Sequence, residues 1–156
     1  MRIRKATIKE LETIQQLNLD HFNYEIELFD ETLNNKWTFS KKGANYFIKK
    51  INNEKSVVLI AEEDNKIIGI LVGEIPPKDF SRKPRIILAE MKQLFLDKNY
   101  RSKGIGSALV DEFFKWAKKQ KATRAQVCAS VTNIDGVRFY KKHGFEDFNL
   151  FLEKEL

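Results

Sequence analysis

The chain has a single cysteine, Cys128, so it forms no internal disulfide and reads as a protein of a reducing compartment, the cytoplasm. It has no apolar run near the ~20 residues needed to span a bilayer. No apolar segment follows the charged start Met1-Arg-Ile-Arg-Lys, which excludes a secretory leader from the reading. Only two histidines are present, and with Cys128 they give no metal-ligand spacing. Repeats, low-complexity tracts and interdomain linkers are also missing, so residues 1–156 read as one domain.

What is present is a globular composition, 42% hydrophobic and 32% charged. A net charge of +6 admits a nucleic acid, an acidic surface or a polyanionic small molecule as partner. The lysines are dispersed, and the densest group, Lys118-Lys119-Gln-Lys121, falls at a helix C-terminus, where cations are favoured in any case. No nucleic-acid partner is therefore expected, and no membrane partner.

The most informative stretch is 85–110. Ile86 to Leu96 has strand composition, Asp97-Lys98-Asn99 is turn chemistry, and Ile105, Leu109, Phe113 and Trp116 recur at helical spacing. Gly104 and Gly106 stand where strand gives way to helix. A helix start leaves about four N–H groups unpaired and carries partial positive charge. Glycines admit a phosphate to that backbone, and Arg101 and Lys103 add charge. The order Ser102-Lys103-Gly104 excludes a Walker loop, and Leu109 stands where a dinucleotide fingerprint needs its third glycine. The bland alternative is a packing turn with solvated charges.

The other elements follow from pattern. Arg2–Thr7 predicts a strand, and Thr7-x-x-Glu10 a capping box opening a helix through Leu11, Ile14, Leu17 and Phe22. Between 20 and 31 lie Asp20, Glu25, Glu27, Asp30 and Glu31, with no Lys or Arg. A second helix is expected over 42–51. Ser56–Glu62 and Lys66–Ile75 form a hairpin about Glu63-Asp64-Asn65, with Gly69 and Gly73 marking bulges or close approach. Pro76–Pro84 reads as a loop, Ala122–Val131 as a strand, and Phe145–Leu156 as a last strand or bent hairpin. The strand-helix-strand unit over 86–131 implies a parallel pair with a right-handed crossover.

Asn133-x-x-Gly136-x-x-Phe139-Tyr140-x-x-x-Gly144-Phe145 reads locally as a capped helix with an aromatic pair and a glycine stop. Taken with Arg101-x-x-Gly104-x-Gly106 after Leu94-Phe95-Leu96, it resembles the two signatures of the GNAT N-acetyltransferase superfamily, in order and about thirty residues apart. The likeness is good over 57–148, and before that extends only to element order. It implies an α/β fold: a twisted mixed sheet with splayed central parallel strands, flanked by helices. It implies acetyl-CoA as cofactor. Backbone groups of Leu94, Phe95 and Leu96 would pair with the pantetheine. Amides of Arg101, Ser102, Lys103, Gly104, Ile105, Gly106 and Ser107 would hold the pyrophosphate. Asn133 would touch the cofactor arm, and Tyr140 would sit by the sulfur as the acid for the departing thiolate.

By the same likeness Glu90 falls at the position of a base. An alkylammonium with a pKa near 10 must lose a proton before attacking, and a carboxylate serves. An ion pair with Lys92 or Arg85 is the competing assignment. Glu90 and Lys92 share the parity of apolar Leu88 and Leu94, so either a bulge intervenes or the charges pair inward. Tyr24, Glu25, Glu27 and Asp30 are the candidate acceptor residues, suited to a polyamine-like or other cationic amine. A solvated acidic face is their plain alternative. The expected activity is direct transfer of acetyl to a primary amine by a monomer or homodimer. The alternatives are a protein lysine or N-terminal acetyltransferase, and a non-catalytic acyl-CoA-binding module. His21 and His143 form no recognisable triad, His143 reads as a helix-end residue, and Cys128 as a small core residue.

Overall fold

A computed structural model describes residues 1–77, 86–154 and 156. Arg85 and most of the expected loop 76–84 lie outside these.

Strand β1 (Arg2–Lys5) leads through a 3-10 turn (Ile8–Glu10) into helix α1 (Leu11–Leu28). The capping box is present, with Thr7 N–H donating to Glu10 Oε2 at 2.6 Å. Helix α1 runs past Phe22 and absorbs most of the acidic window. A second 3-10 turn (Asn35–Phe39) and helix α2 (Lys41–Asn52, capped by Ser40) follow. Strands β2 (Ser56–Glu63) and β3 (Lys66–Glu74) form the expected hairpin. Asp64 and Asn65 take φ of 49° and 61°, the left-handed pair that a two-residue turn needs to match strand twist. Then come β4 (Leu88–Leu96), α3 (Ile105–Lys119), β5 (Arg124–Val127) and α4 (Ile134–Lys142).

The sheet has the order β1-β2-β3-β4-β5, antiparallel except for the parallel pair β4–β5. That pairing runs only from Leu88↔Arg124 to Met91↔Val127. Beyond it β5 ends while β4 continues to Leu96, so the pair parts where a ligand backbone is expected. Among the described residues this parallel pair lies at one edge of the sheet and not at its centre as expected. One sheet face packs on α3 through Ala89, Met91, Leu109 and Phe113. The other packs on α1 and α2 through Ile14, Leu17, Phe47, Ile60, Ile70 and Phe95.

A bulge settles the parity question on β4. Val72 pairs with Gln93 and Gly73 with Met91, so Lys92 is the extra residue. Ala89 and Met91 pack on the α3 side and Phe95 on the α1/α2 side, although all three are odd-numbered. Gly73 sits at this bulge because a Cβ there would lie 2.5 Å from the Phe113 ring.

Three further expectations are corrected. The strand over 122–131 is confined to Arg124–Val127, because pairing with β4 stops there. Cys128, just past that end, is exposed and not a core residue. Among the described residues of 145–156 there is no strand: Phe148, Leu150 and Leu152 are 64%, 71% and 84% exposed. Their alternation reports periodicity, and periodicity alone does not supply a pairing partner.

Candidate active site

The loop after β4 begins as a 3-10 turn, Lys98–Tyr100, with Asp97 accepting from the Asn99 N–H at 2.9 Å. Ser102 and Gly104 then take φ of 62° and 79°. Two left-handed residues this close turn the chain sharply into α3. A non-glycine residue held there carries about 1 kcal/mol of strain, which often marks a site. The first bond closing α3 runs from Ala108 N–H to Gly104 O at 3.0 Å. The amides of Ile105, Gly106 and Ser107 therefore precede it and point outward from the positive end of the helix. A Cβ on Gly104 would meet nothing within 4 Å, so the ground above these amides is open. At Gly106 a Cβ would reach the Phe139 ring at 3.4 Å; this glycine seats α4 against α3.

The loop charges divide. Lys103 is exposed, its ammonium 5.1 Å from the Tyr100 ring centroid. Arg101 folds back instead. Its Nε donates to Leu96 O at 3.1 Å, and its guanidinium carbon lies 4.6 Å from the Tyr24 ring centroid and 5.7 Å from that of Phe95. Arg101 thus ties the loop to the free end of β4 and to α1. Lys103 and the helix start remain as the positive charge at the mouth of the loop. The open amides, and the side of β4 that runs on past the end of its β5 pairing, fit a phosphate-bearing, amide-bearing cofactor arm.

Helix α4 brings in the second motif. Asn133 Oδ1 accepts from Gly136 N–H at 2.9 Å as the N-cap. A Cβ on Gly136 would lie 2.7 Å from Asn133 Nδ2, which accounts for the glycine. Asn133 Oδ1 is thereby committed, leaving Nδ2 to meet a ligand. Tyr140 packs edge-on against Phe139 and Phe145, with ring centroids 5.4 and 5.8 Å away. Burial, and then the charge of Glu25, push its hydroxyl up to about 12. His143 Nδ1 donates to Phe139 O at 2.8 Å, the helix-end role expected of it.

Of the four acceptor candidates, the structure gathers two. Tyr24 and Glu25 are half-buried on the side of α1 that faces β4 and α4. Glu27 is exposed. Asp30 lies past the helix end, where it accepts from Thr32 N–H at 3.0 Å and Thr32 Oγ1, bonds that hold its carboxyl below the usual range. Helix α1 is fixed by buried bonds to the second 3-10 turn. Asn18 Nδ2 donates to Thr38 Oγ1 at 2.6 Å and Gln15 Nε2 to Thr38 O at 2.7 Å.

Glu90 is half-buried on the α1/α2 face. Its Oε1 lies 3.3 Å from Lys92 Nζ, and Lys92 also reaches Glu74 at 4.0 Å. Lys50 pairs with Glu74, and the buried Tyr46 hydroxyl beside them is pushed up to about 12 by burial and then by Glu74 and Glu90. Glu90 therefore belongs to an ion-pair network, and its charge reaches Tyr46 while that of Glu25 reaches Tyr140.

Sequence reading missed His21 and Gln93. Gln93 Nε2 lies 3.1 Å from His21 Nδ1, and His21 Nε2 lies 3.5 Å from Glu25 Oε1. The His21–Glu25 spacing of four, and one amide amid apolar strand residues, were the available signals.

Among the described residues, no three His, Cys, Asp or Glu side chains converge to hold a metal. No described helix is long and apolar enough to cross a membrane.

Comparison with known proteins gives the family and the fold. The sequence profile of the acetyltransferase (GNAT) family matches residues 14–145. An uncharacterized N-acetyltransferase of Methanocaldococcus jannaschii is 29% identical over 112 residues, covering 72% of this chain and 43% of that protein. The chain thus spans less than half the length of that relative. A spermidine N(1)-acetyltransferase of Thermoplasma acidophilum is 27% identical over 152 residues, 94% of this chain and 88% of that one. Among solved structures, a predicted acetyltransferase with acetyl-CoA from Clostridium acetobutylicum superposes with a TM-score of 0.74 at 23% identity. The match covers 99% of this chain and 95% of that one.

Proposed function

The chain belongs to the acetyltransferase (GNAT) family, and on that premise we propose that it transfers the acetyl group of acetyl-CoA to a primary amine of a polyamine-like or otherwise multiply cationic small molecule. Acetyl-CoA supplies an activated acyl thioester when bound. The outward amides of the loop and of the α3 start would hold its phosphates, the free end of β4 its pantetheine, and Asn133 Nδ2 its arm. Tyr140 keeps a proton on its hydroxyl for a departing thiolate. Glu90 is the proposed proton acceptor, through Oε2, since Oε1 faces Lys92.

One observation carries the acceptor assignment: of the acids on α1, Glu25 is the one whose charge reaches the Tyr140 hydroxyl. Its position is costly for the helix. Glu25 and Glu27 stand in the last turn of α1, which has no basic residue, and the helix dipole disfavours anions there. An ammonium ligand offsets that cost. The Thermoplasma relative named for spermidine points to the same substrate class.

A thiol-release assay with acetyl-CoA across polyamines, aminoglycosides, amino acids and peptides tests the proposal. Polycations should be preferred over neutral monoamines, with apparent KM rising as salt screens the acidic face. Equal or better turnover of peptides or neutral monoamines would overturn the acceptor assignment.

A further inference from the structure

Glu25 differs in its partner from the partly buried acids Glu10, Glu62, Glu74 and Glu90. Glu10 and Glu62 pair with Arg4, Glu74 with Lys50 and Lys92, and Glu90 with Lys92. Among the described residues Glu25 meets no Lys or Arg, only the imidazole of His21. That imidazole is held from the other side. Gln93 is 8% exposed on the sheet face that carries Val58, Ile60, Ile70, Val72 and Phe95. A buried amide among aliphatic side chains is tolerated when it is hydrogen-bonded, and this one bonds His21 Nδ1. The His21 ring also rests on Phe95, with centroids 5.5 Å apart.

The tautomer follows. With the Gln93 amide nitrogen toward the ring, Nδ1 accepts, so the neutral imidazole carries its proton on Nε2, the atom facing Glu25. On that assignment the Nε2 proton faces Glu25 Oε1, 3.5 Å from Nε2.

We infer that His21 and Gln93 are positioning residues which aim the Glu25 carboxylate at the reacting ammonium of the acceptor, making these three side chains the specificity-determining amine subsite. This rests on the cationic-acceptor reading above. The subsite binds and orients the ammonium and needs no transfer of its proton to Glu25. A lysine or arginine in place of His21 would pair with Glu25 as Lys92 pairs with Glu90, and would compete with the substrate ammonium. The selectivity for amines comes from the Gln93 hydrogen bond, one step removed from the carboxylate.

Two measurements test this. A long-range proton–nitrogen correlation spectrum of the full chain with labelled histidine reads both tautomers without any ligand, with His21→Gln assigning the peaks. His21 should appear as the Nε2–H tautomer and His143, which donates from Nδ1, as the opposite one. In steady-state kinetics with spermidine as the probe, His21→Leu and Gln93→Met should each raise its KM about tenfold. The KM for acetyl-CoA should hold, and His21→Gln, which keeps an N–H donor, should restore most of the loss. Gln93→Met keeps side-chain volume and serves where His21→Leu fails to fold. An Nδ1–H tautomer at His21, or a parental spermidine KM in a folded variant, would overturn the inference. A parent protein that acetylates no polycation would sink the acceptor reading by itself, while the spectrum would still decide the tautomer on which this inference stands.

Discussion

Glu90 and Lys92 pair at 3.3 Å across the bulge in β4, and the same extra residue puts Glu90 and Gln93 on one face of the sheet despite their opposite parity. Of the two alternatives read from the sequence the bulge is realised; the charges also pair, but with Lys92 exposed and not turned inward. Glu90 and Glu25 are the two carboxylates proposed for the acceptor site, and they should separate kinetically. Glu90→Gln should lower kcat by about a hundredfold and flatten the acidic limb of its pH profile. Glu25→Gln should instead raise KM for polycations and leave that limb in place. A Glu90→Gln profile identical to the parent's would move the base elsewhere.

Gly104 makes the phosphate cradle testable without disturbing the core. Its φ of 79° disfavours β-branched residues, so Gly104→Val mixes strain with obstruction. Asparagine tolerates that region better, and the space above Gly104 is open enough to take a side chain. Gly104→Asn should keep the parental melting temperature within a few degrees and weaken acetyl-CoA binding at least about tenfold by calorimetry. Unchanged affinity in the folded variant would show that the phosphates lie elsewhere.

Tyr140 should act as an acid up to unusually high pH. Its hydroxyl is pushed up to about 12, so an alkaline limb of kcat set by Tyr140 should lie near 12 and not near 10. Tyr140→Phe should cut kcat a hundredfold or more with little change in acetyl-CoA KM. The same raised values predict a stability effect. Above pH 10 the unfolded chain loses tyrosine protons that Tyr46 and Tyr140 retain when folded. The stabilisation is complete below 10 and declines as pH rises toward 12, which thermal melts across that window should reveal.

Gly136 and Asn133 form a single device. Gly136→Ala puts a methyl group where the Asn133 amide sits, 2.7 Å from Nδ2. The cap must then open, at a cost of about 1 kcal/mol, despite the better helix propensity of alanine. Asn133→Ala should cost about as much, and the double variant should be markedly sub-additive in urea denaturation. Full additivity would separate the two residues.

The sequence by itself determined the elements whose cause is local. The hairpin about Asp64-Asn65, the Thr7–Glu10 box, the Gly104 turn and the Asn133 cap all depend on neighbours within four residues. Backbone sterics and a few side-chain oxygens suffice to specify each. The two signatures, one at the β4–α3 junction and one on α4, carried the family for the same reason. Tertiary structure decided everything that depends on which surfaces meet. Only the fold brings Glu25 to Tyr140, Gln93 to His21, and Arg101 back over Tyr24, because α1, β4 and α4 are far apart in the chain. The acidic window shows the limit most plainly. Sequence pattern left Tyr24, Glu25, Glu27 and Asp30 with equal standing; helix phase turns Tyr24 and Glu25 inward and Glu27 outward, and Asp30 falls past the helix end. At the C-terminus, alternation over 148–152 predicted a strand, yet a strand exists only where another offers its amides and carbonyls, which no periodicity records.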